Sequence, residues 1–195
     1  HLDTLKGMSR FYRDWFLDVL LHDWSGPVYS IAEAVRSLSP EFHAYGFSPS
    51  FTTDWRWYKD IFGAAIESHE STVSSYFSNV HNFIDYRISS PPVDESRNKQ
   101  LIEVCDSLFQ LHYAPREKGY NKKYLVDELI IHLEQLVEIT GEFSSVTAEG
   151  FKDCTKALVA YQNNKQFGDF GSFCALWGRG QQYASFIKKA DYLPV

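Results

Sequence analysis

Apolar residues recur at steps of three and four through most of this 195-residue chain, and this spacing constrains the fold more than any other feature. The clearest run lies in residues 70–86, where one helical face would carry Val73, Tyr76, Phe77, Val80, Phe83 and Ile84. Similar runs predict helices over about residues 11–20, 27–38, 53–62, 101–112, 122–140, 147–162 and 181–190. No segment alternates apolar and polar residues between hairpin signals, so we expect no β-strand.

Proline and glycine mark the ends of these predicted helices. Ser90, Pro91 and Pro92 end one of them, and Gly141 follows another in the usual C-terminal position. Residues 39–62 contain two Ser-Pro segments and many aromatic side chains, which favours short turns there. The pattern therefore predicts an all-α fold, an antiparallel bundle of six or seven main helices with an irregular aromatic-rich cap at residues 39–62.

Composition narrows the class of protein. A hydrophobic fraction of 44% and an aromatic fraction of 16% are typical of a folded chain. No apolar run is long enough for a membrane span. A net charge of −6 argues against a nucleic-acid partner. The three cysteines are widely spaced and form no CxxC motif, so we expect a reducing compartment and a cytoplasmic location.

The only methionine, Met8, follows seven other residues. Residues 1–7 are therefore a tag or linker remnant before a native start, or the chain is a piece of a longer protein. In the first case residues 8–195 form a single helical domain with its cap at residues 39–62.

Residues 54–60 carry the densest chemistry in the chain. Here an indole would stack on a sugar or base, and a guanidinium would hold a phosphate or carboxylate. The candidate ligand-binding residues are therefore Trp55, Arg56, Trp57 and Lys59. The structural alternative buries both indoles and pairs Arg56 with Asp60. On the preceding loop, His43 is the candidate catalytic acid–base residue, because an imidazole titrates near neutral pH.

A second candidate anion site lies at Arg179, between Gly178 and Gly180 and just before a predicted helix. Backbone N–H groups and a guanidinium would meet an anion there. The spacing is neither a P-loop nor a dinucleotide-binding fingerprint, and an ordinary turn between helices explains it equally well.

Three carboxylate–histidine pairs have the i, i+4 spacing of one helical face. They are weak metal-ligand candidates, since none fits the Glu-x-x-His pattern of di-iron bundles: Asp18 with His22, His81 with Asp85, and Glu128 with His132. The alternatives are surface ion pairs and a hydrogen-bonded core histidine at position 132.

No complete catalytic motif and no family signature is present, so the sequence leaves open whether the chain is an enzyme. The first hypothesis is a helical interaction or regulatory module, such as an accessory domain of a larger protein, whose partner is another protein. The second is an enzyme, or the helical part of one, that binds an anionic small molecule such as a phosphorylated or nucleotide-linked sugar. The third is a metal-binding helical bundle. No cofactor is indicated.

Overall fold

The computed structural model describes residues 11–15, 29–51, 68–113, 121–178 and 182–191. Its helices are α1 (Tyr12–Trp15), α2 (Ile31–Leu38), α3 (His69–Asn79), α4 (Glu95–Tyr113), α5 (Lys122–Gly141) and α6 (Ser145–Asn164). Two strands, β1 (Phe42–Ser48) and β2 (Tyr183–Lys188), and 3-10 turns at Val80–Phe83, Gly171–Ala175 and Lys189–Asp191 complete the described elements. None of the helices in these ranges is long and apolar enough to cross a membrane.

The prediction of an all-α bundle with six or seven main helices is wrong. The described ranges hold five helices of eight or more residues and a two-stranded antiparallel sheet. Strand β1 lies inside the predicted cap, and β2 replaces the helix predicted at residues 181–190. The two strands pair from Phe42 with Lys188 to Ser48 with Tyr183.

A β-bulge at Tyr45 interrupts the alternation of inward and outward side chains in β1. The register shifts between Ala44 and Gly46, so one extra residue changes the phase of the strand. Ala44 and Phe47, three positions apart, therefore both belong to the hydrophobic core. In β2 the inward residues are Ala184 and Phe186. This single alternation is too short to indicate a strand within a segment whose apolar residues otherwise have helical spacing.

Two hydrophobic clusters organise the chain. The first joins α2, the sheet and α3 through the buried residues Ile31, Ala32, Val35, Ala44, Phe51, Val73 and Tyr76. The second joins α4, α5 and α6 through Leu101, Val126, Leu133, Leu136, Phe151, Cys154 and Leu158. Removing these side chains from water supplies the main driving force for folding of each part.

Local sequence fixes where the helices begin. At α2, the Ser30 hydroxyl accepts a hydrogen bond from the Glu33 amide at 3.2 Å, and the Glu33 carboxylate accepts one from the Ser30 amide at 2.7 Å. This reciprocal capping box satisfies two backbone donors that the first turn leaves unpaired. Three other helices have simpler caps, in which one side-chain oxygen accepts a hydrogen bond from a backbone amide of the first turn. These caps are Ser68 at α3, Asn121 at α5 and Ser144 at α6.

After α6 the chain reverses and packs back along that helix; we call residues 165–176 the return segment. Lys165 ends α6 in the left-handed conformation, and the Gly168 amide donates to the Ala157 carbonyl oxygen at 3.2 Å. Asp153 on α6 accepts hydrogen bonds from the amide and the hydroxyl of Ser172 at 2.9 and 2.7 Å. A hydrogen bond from Lys156, followed by those from Ser172, lowers the pKa of Asp153 to about 2.

Replacement of Gly171 by alanine is expected to destabilise the return segment. The φ angle of Gly171 is +48°, and an added Cβ would collide with Oδ2 of Asp153. The left-handed backbone alone costs an L-residue about 1–2 kcal/mol. Urea denaturation should therefore show a lower midpoint for Gly171→Ala. The matched control is Gly46→Ala, whose Cβ would meet nothing within 4 Å and whose stability should stay within about 0.5 kcal/mol of the native value. Equal midpoints for the two variants would contradict this account of the return segment.

Candidate functional site

An open groove of about 460 Å³ lies between the end of α2, one face of α3 and the start of α4. Its volume is in the range of ligand-binding sites. Val73 and Phe77 of α3 form its apolar floor, because the step of four places them on one helical face. The lining side chains are Arg36, Ser39, His69, Glu70, Val73, Ser74, Phe77 and Glu95.

One wall of the groove is basic. Arg36 stands in the last turn of α2, and its guanidinium carbon lies 5.6 Å from the centroid of the Phe77 ring. This distance is typical of a cation–π contact, which holds the guanidinium above the aromatic floor. A planar guanidinium with several N–H donors suits a carboxylate or phosphate presented from the solvent side.

The opposite wall is acidic. The Ser74 hydroxyl donates to Oε1 of Glu95 at 2.5 Å, which ties the start of α4 to the face of α3. Glu70 lies one turn before Ser74 on the same face. Hydrogen bonds from its own backbone amide and from Ser68 lower the pKa of Glu70 below its ordinary value. The groove therefore presents both signs of charge over an apolar floor.

Two histidines stack at one end of the groove. The rings of His43 on β1 and His69 on α3 are nearly parallel, with an interplanar angle of 9° and centroids 5.9 Å apart. The Nε2–H of His69 donates to the carbonyl oxygen of Phe42 at 2.9 Å, which leaves Nδ1 as the acceptor of the neutral ring. His43, the predicted acid–base residue, therefore contacts the lining residue His69 but does not line the groove itself.

The other predicted ligand-binding residues, Trp55, Arg56, Trp57, Lys59 and Arg179, lie outside the described residues. Their role stays a prediction.

The sequence does not single out Arg36, Glu70 and Glu95 on the two walls. The available signal was the mixed spacing on α3, where charged and hydroxyl residues at 70 and 74 share a face with Val73 and Phe77.

Of the three predicted metal-binding pairs, His81 with Asp85 is buried at the end of α3. The Nε2–H of His81 donates to the carbonyl oxygen of Pro91 at 3.2 Å, and Nδ1 accepts from the Asn98 side-chain amide at 3.2 Å. The ring is therefore neutral, because a second ring proton would face a donor. Burial lowers the pKa of His81.

His81 belongs to a group of buried polar side chains that we call the polar hub: Asn79, His81, Asn82 and Asn98. Asn82 accepts from the Ser90 amide at 2.8 Å and donates to the Ser90 carbonyl oxygen at 3.0 Å, as a backbone partner would. Asn79 donates to the carbonyl oxygen of Phe51 at 3.1 Å. The hub therefore joins α3, α4 and the loop between them by directional hydrogen bonds.

Asp85 takes different partners from His81. Its carboxylate, on a residue only 2% exposed, accepts hydrogen bonds from Nε and Nη2 of Arg87 at 2.9 and 2.7 Å. The Thr147 hydroxyl donates to it at 3.1 Å. Burial raises the pKa of Asp85, but the hydrogen bonds from Arg87 and Thr147 lower it by more, so the net shift is downward. In the structure, Asp85 is hydrogen-bonded to Arg87 and Thr147.

The second metal-binding pair lies on α5, where Nδ1–H of His132 donates to the backbone carbonyl oxygen of Glu128 at 2.8 Å. The third, Asp18 with His22, is outside the described ranges. Within those ranges no three His, Cys, Asp or Glu side chains are grouped to hold a metal ion. The metal-binding hypothesis stays a prediction.

No protein-family model matches this chain, and neither the curated proteins nor the solved structures contain a match to it.

Stability is expected to fall as the pH drops below about 6.5. The unfolded chain protonates His81 near its ordinary pKa of about 6.5, whereas the folded chain keeps it neutral to lower pH. The unfolded state then binds more protons, and the free energy of unfolding decreases by up to about 1.4 kcal/mol per pH unit until the folded pKa is reached. Denaturant titrations between about pH 5 and pH 7.5 measure this slope.

The variant His81→Gln keeps a donor and an acceptor but does not titrate, and so should be less stable at pH 7.5 and nearly independent of pH between about pH 5 and pH 6.5. The control His132→Gln retains His81, so its free energy of unfolding should decrease with falling pH as it does in the native chain. A native-like slope in His81→Gln would show that another group causes it.

Proposed function

We propose that this chain is an interaction or regulatory module, without catalysis of its own, that binds a segment of a partner protein in the groove between α2 and α3. The observation that carries the proposal is the groove of about 460 Å³, whose walls carry Arg36 on one side and Glu70 and Glu95 on the other. An open groove with charged walls suits a peptide segment better than a small molecule, which is usually enclosed by apolar groups.

Charge complementarity specifies the segment. A basic side chain of the partner would face Glu70 and Glu95, and an acidic side chain would face Arg36. An apolar side chain between them would cover Val73 and the open part of Phe77. Such a segment would satisfy all three charges of the groove while the apolar floor contributes affinity.

A second candidate is the binding of an anionic small molecule, such as a phosphorylated or nucleotide-linked sugar. Arg36 and the stacked pair of His43 and His69 favour it, because guanidinium and imidazole groups bind phosphate. The carboxylates of Glu70 and Glu95 oppose it, because they repel an anion at short range. We therefore prefer the protein segment. A cytoplasmic location fits the three free cysteines.

An array of synthetic peptides tests the proposal. Each peptide carries one basic and one acidic residue separated by one to four positions, with apolar residues between them, and uncharged peptides serve as references. We expect the native chain to prefer the doubly charged peptides. Arg36→Glu should lose the preference for the acidic residue, and Glu95→Lys the preference for the basic one. Each reversal should weaken binding about tenfold or more, or about 1.4 kcal/mol, in a titration followed by fluorescence anisotropy.

The control variant is Lys152→Glu on α6, which changes the net charge by the same amount as Arg36→Glu but alters an exposed side chain that does not line the groove. It should bind the peptides like the native chain. If it weakens binding as much as Arg36→Glu, only overall charge matters and the groove is not the site. Saturation-transfer NMR with a nucleotide sugar covers the second candidate, and a signal that Arg36→Glu abolishes would favour it.

A further inference from the structure

The side-chain amide of Asn98 is the point where α3, α4 and the 3-10 turn Val80–Phe83 meet. Asn98 is 2% exposed, and its Nδ2 donates to the carbonyl oxygen of Phe77 at 2.5 Å and to Nδ1 of His81 at 3.2 Å. A side-chain amide nitrogen has two hydrogens, and these two acceptors use both of them. The Phe77 carbonyl group therefore fixes which way the amide faces, and His81 has to present an unprotonated nitrogen to it.

This contact lies next to the groove. The ring of Phe77 belongs to the groove floor, below the guanidinium of Arg36. One link from α3 to α4 is the exposed hydrogen bond from Ser74 to Glu95, and a second is the more buried one between Phe77 and Asn98. The second link follows the first by three residues on both helices, which is about one helical turn. The inner link therefore holds the first turn of α4 where it places Glu95 on the acidic wall.

A second ring proton on His81 is incompatible with the inner link. The Nε2–H of His81 already donates to the carbonyl oxygen of Pro91 at 3.2 Å, so an added proton binds at Nδ1 and faces the amide hydrogens of Asn98. A half-turn of the amide would bring its oxygen to the new N–H group. The same half-turn would point that oxygen at the carbonyl oxygen of Phe77, and two acceptors repel each other. Protonation of the ring therefore breaks the hydrogen bond between Asn98 and Phe77.

A small cavity gives the Asn98 side chain room to move. It has a volume of about 30 Å³, which admits about one water molecule. A released amide can therefore turn into this space and be hydrated. The cavity is lined by Val93, Arg97, Asn98, Ile139, Glu142 and Phe143.

The acidic side chains around His81 already have hydrogen-bond donors. Along the chain the next carboxylate is Asp85, which Nη2 of Arg87 contacts at 2.7 Å. The charged groups of the loop before α4, of α4 itself and of the segment after α5 are Asp94, bonded to Ser96, Glu95, bonded to Ser74, and Arg97, paired with Glu142 at 3.1 Å. Burial is therefore the main cause that lowers the pKa of His81, and the ring is neutral at pH 7.5.

We propose that His81 is a proton-operated latch for the groove: the neutral ring lets Asn98 join α4 to α3, and proton uptake breaks this link and displaces Glu95 from the acidic wall. The regulation of partner binding rests on the proposed function, whereas the latch is a property of the free chain. In the open state His81 has its ordinary pKa of about 6.5. The open population should therefore rise by up to about tenfold per pH unit as the pH falls below about 6.5.

NMR resonances of the free native chain test the latch without a partner. Between pH 7.5 and pH 5, the ring of His81, the side-chain amide of Asn98 and the backbone amides of Phe77 and Glu95 should change with one common midpoint. A change at Glu95 alone is insufficient, because its own carboxylate also takes up a proton at low pH. Backbone resonances of α6 should stay constant, which separates opening of the latch from global unfolding. The latch is overturned if Asn98 and Glu95 show no step at the midpoint of the His81 ring.

The variant His81→Gln keeps a donor and an acceptor but does not titrate. Its Asn98 and Glu95 resonances should therefore lack the step. The control His69→Gln removes an imidazole that lines the groove and retains His81, so it should keep the native step. A native step in His81→Gln would assign the effect to another group.

The variant Asn98→Asp reverses the electrostatics of the latch. A carboxylate beside the ring stabilises the imidazolium, so the midpoint of His81 should move to higher pH than in the native chain. The matched control is Lys99→Gln, which changes the net charge by the same amount at the exposed neighbouring position and should keep the native midpoint. Equal midpoints in the two variants would contradict the contact between Asn98 and His81. The native titration decides the proposal even if a variant fails to fold.

Peptide titrations separate the latch from the proposed function. The affinity of the native chain for a doubly charged peptide should fall about twofold at the NMR midpoint and about tenfold one pH unit lower, because only the latched chain binds. His81→Gln should lack this fall. If no peptide binds at pH 7.5, the proposed function fails and the resonances still decide the latch. If a peptide binds equally well above and below the midpoint, the latch does not regulate the groove and the proposed function stands.

Discussion

The buried hydrogen bonds of the polar hub hold the two hydrophobic clusters in one arrangement. They join the first hydrophobic cluster, which contains α3, to α4 of the second. An apolar contact tolerates sliding, whereas a desolvated donor without its acceptor costs about 1–3 kcal/mol. His81 and Asn98 therefore fix the position of α4 relative to α3. The acidic wall of the groove follows from this, because Glu95 is the first residue of α4. The groove lies on the first cluster and offers charge of both signs over an aromatic floor.

Little of the candidate site could be predicted from the sequence. The sequence indicates His43 through its imidazole alone, and only the structure shows that its ring stacks on His69, which lines the groove. Arg36, Glu70 and Glu95 lie far apart in the chain, and none belongs to a motif. They meet because three helices pack side by side, which no local pattern encodes. The pair of His81 and Asp85 has the spacing of a shared site, yet burial gives each residue its own partners.

The long helices are visible in the sequence. Periodic apolar residues place α5 and α6 within about two residues at each end, because a helix closes its hydrogen bonds within one segment, whereas α4 begins six residues before its predicted start. The tertiary structure alone decided the sheet. Strands β1 and β2 come from distant parts of the chain, and each needs the other to satisfy its backbone groups. The bulge at Tyr45 hides the alternation that would have marked β1, and packing against α2 and α3 selects the pairing.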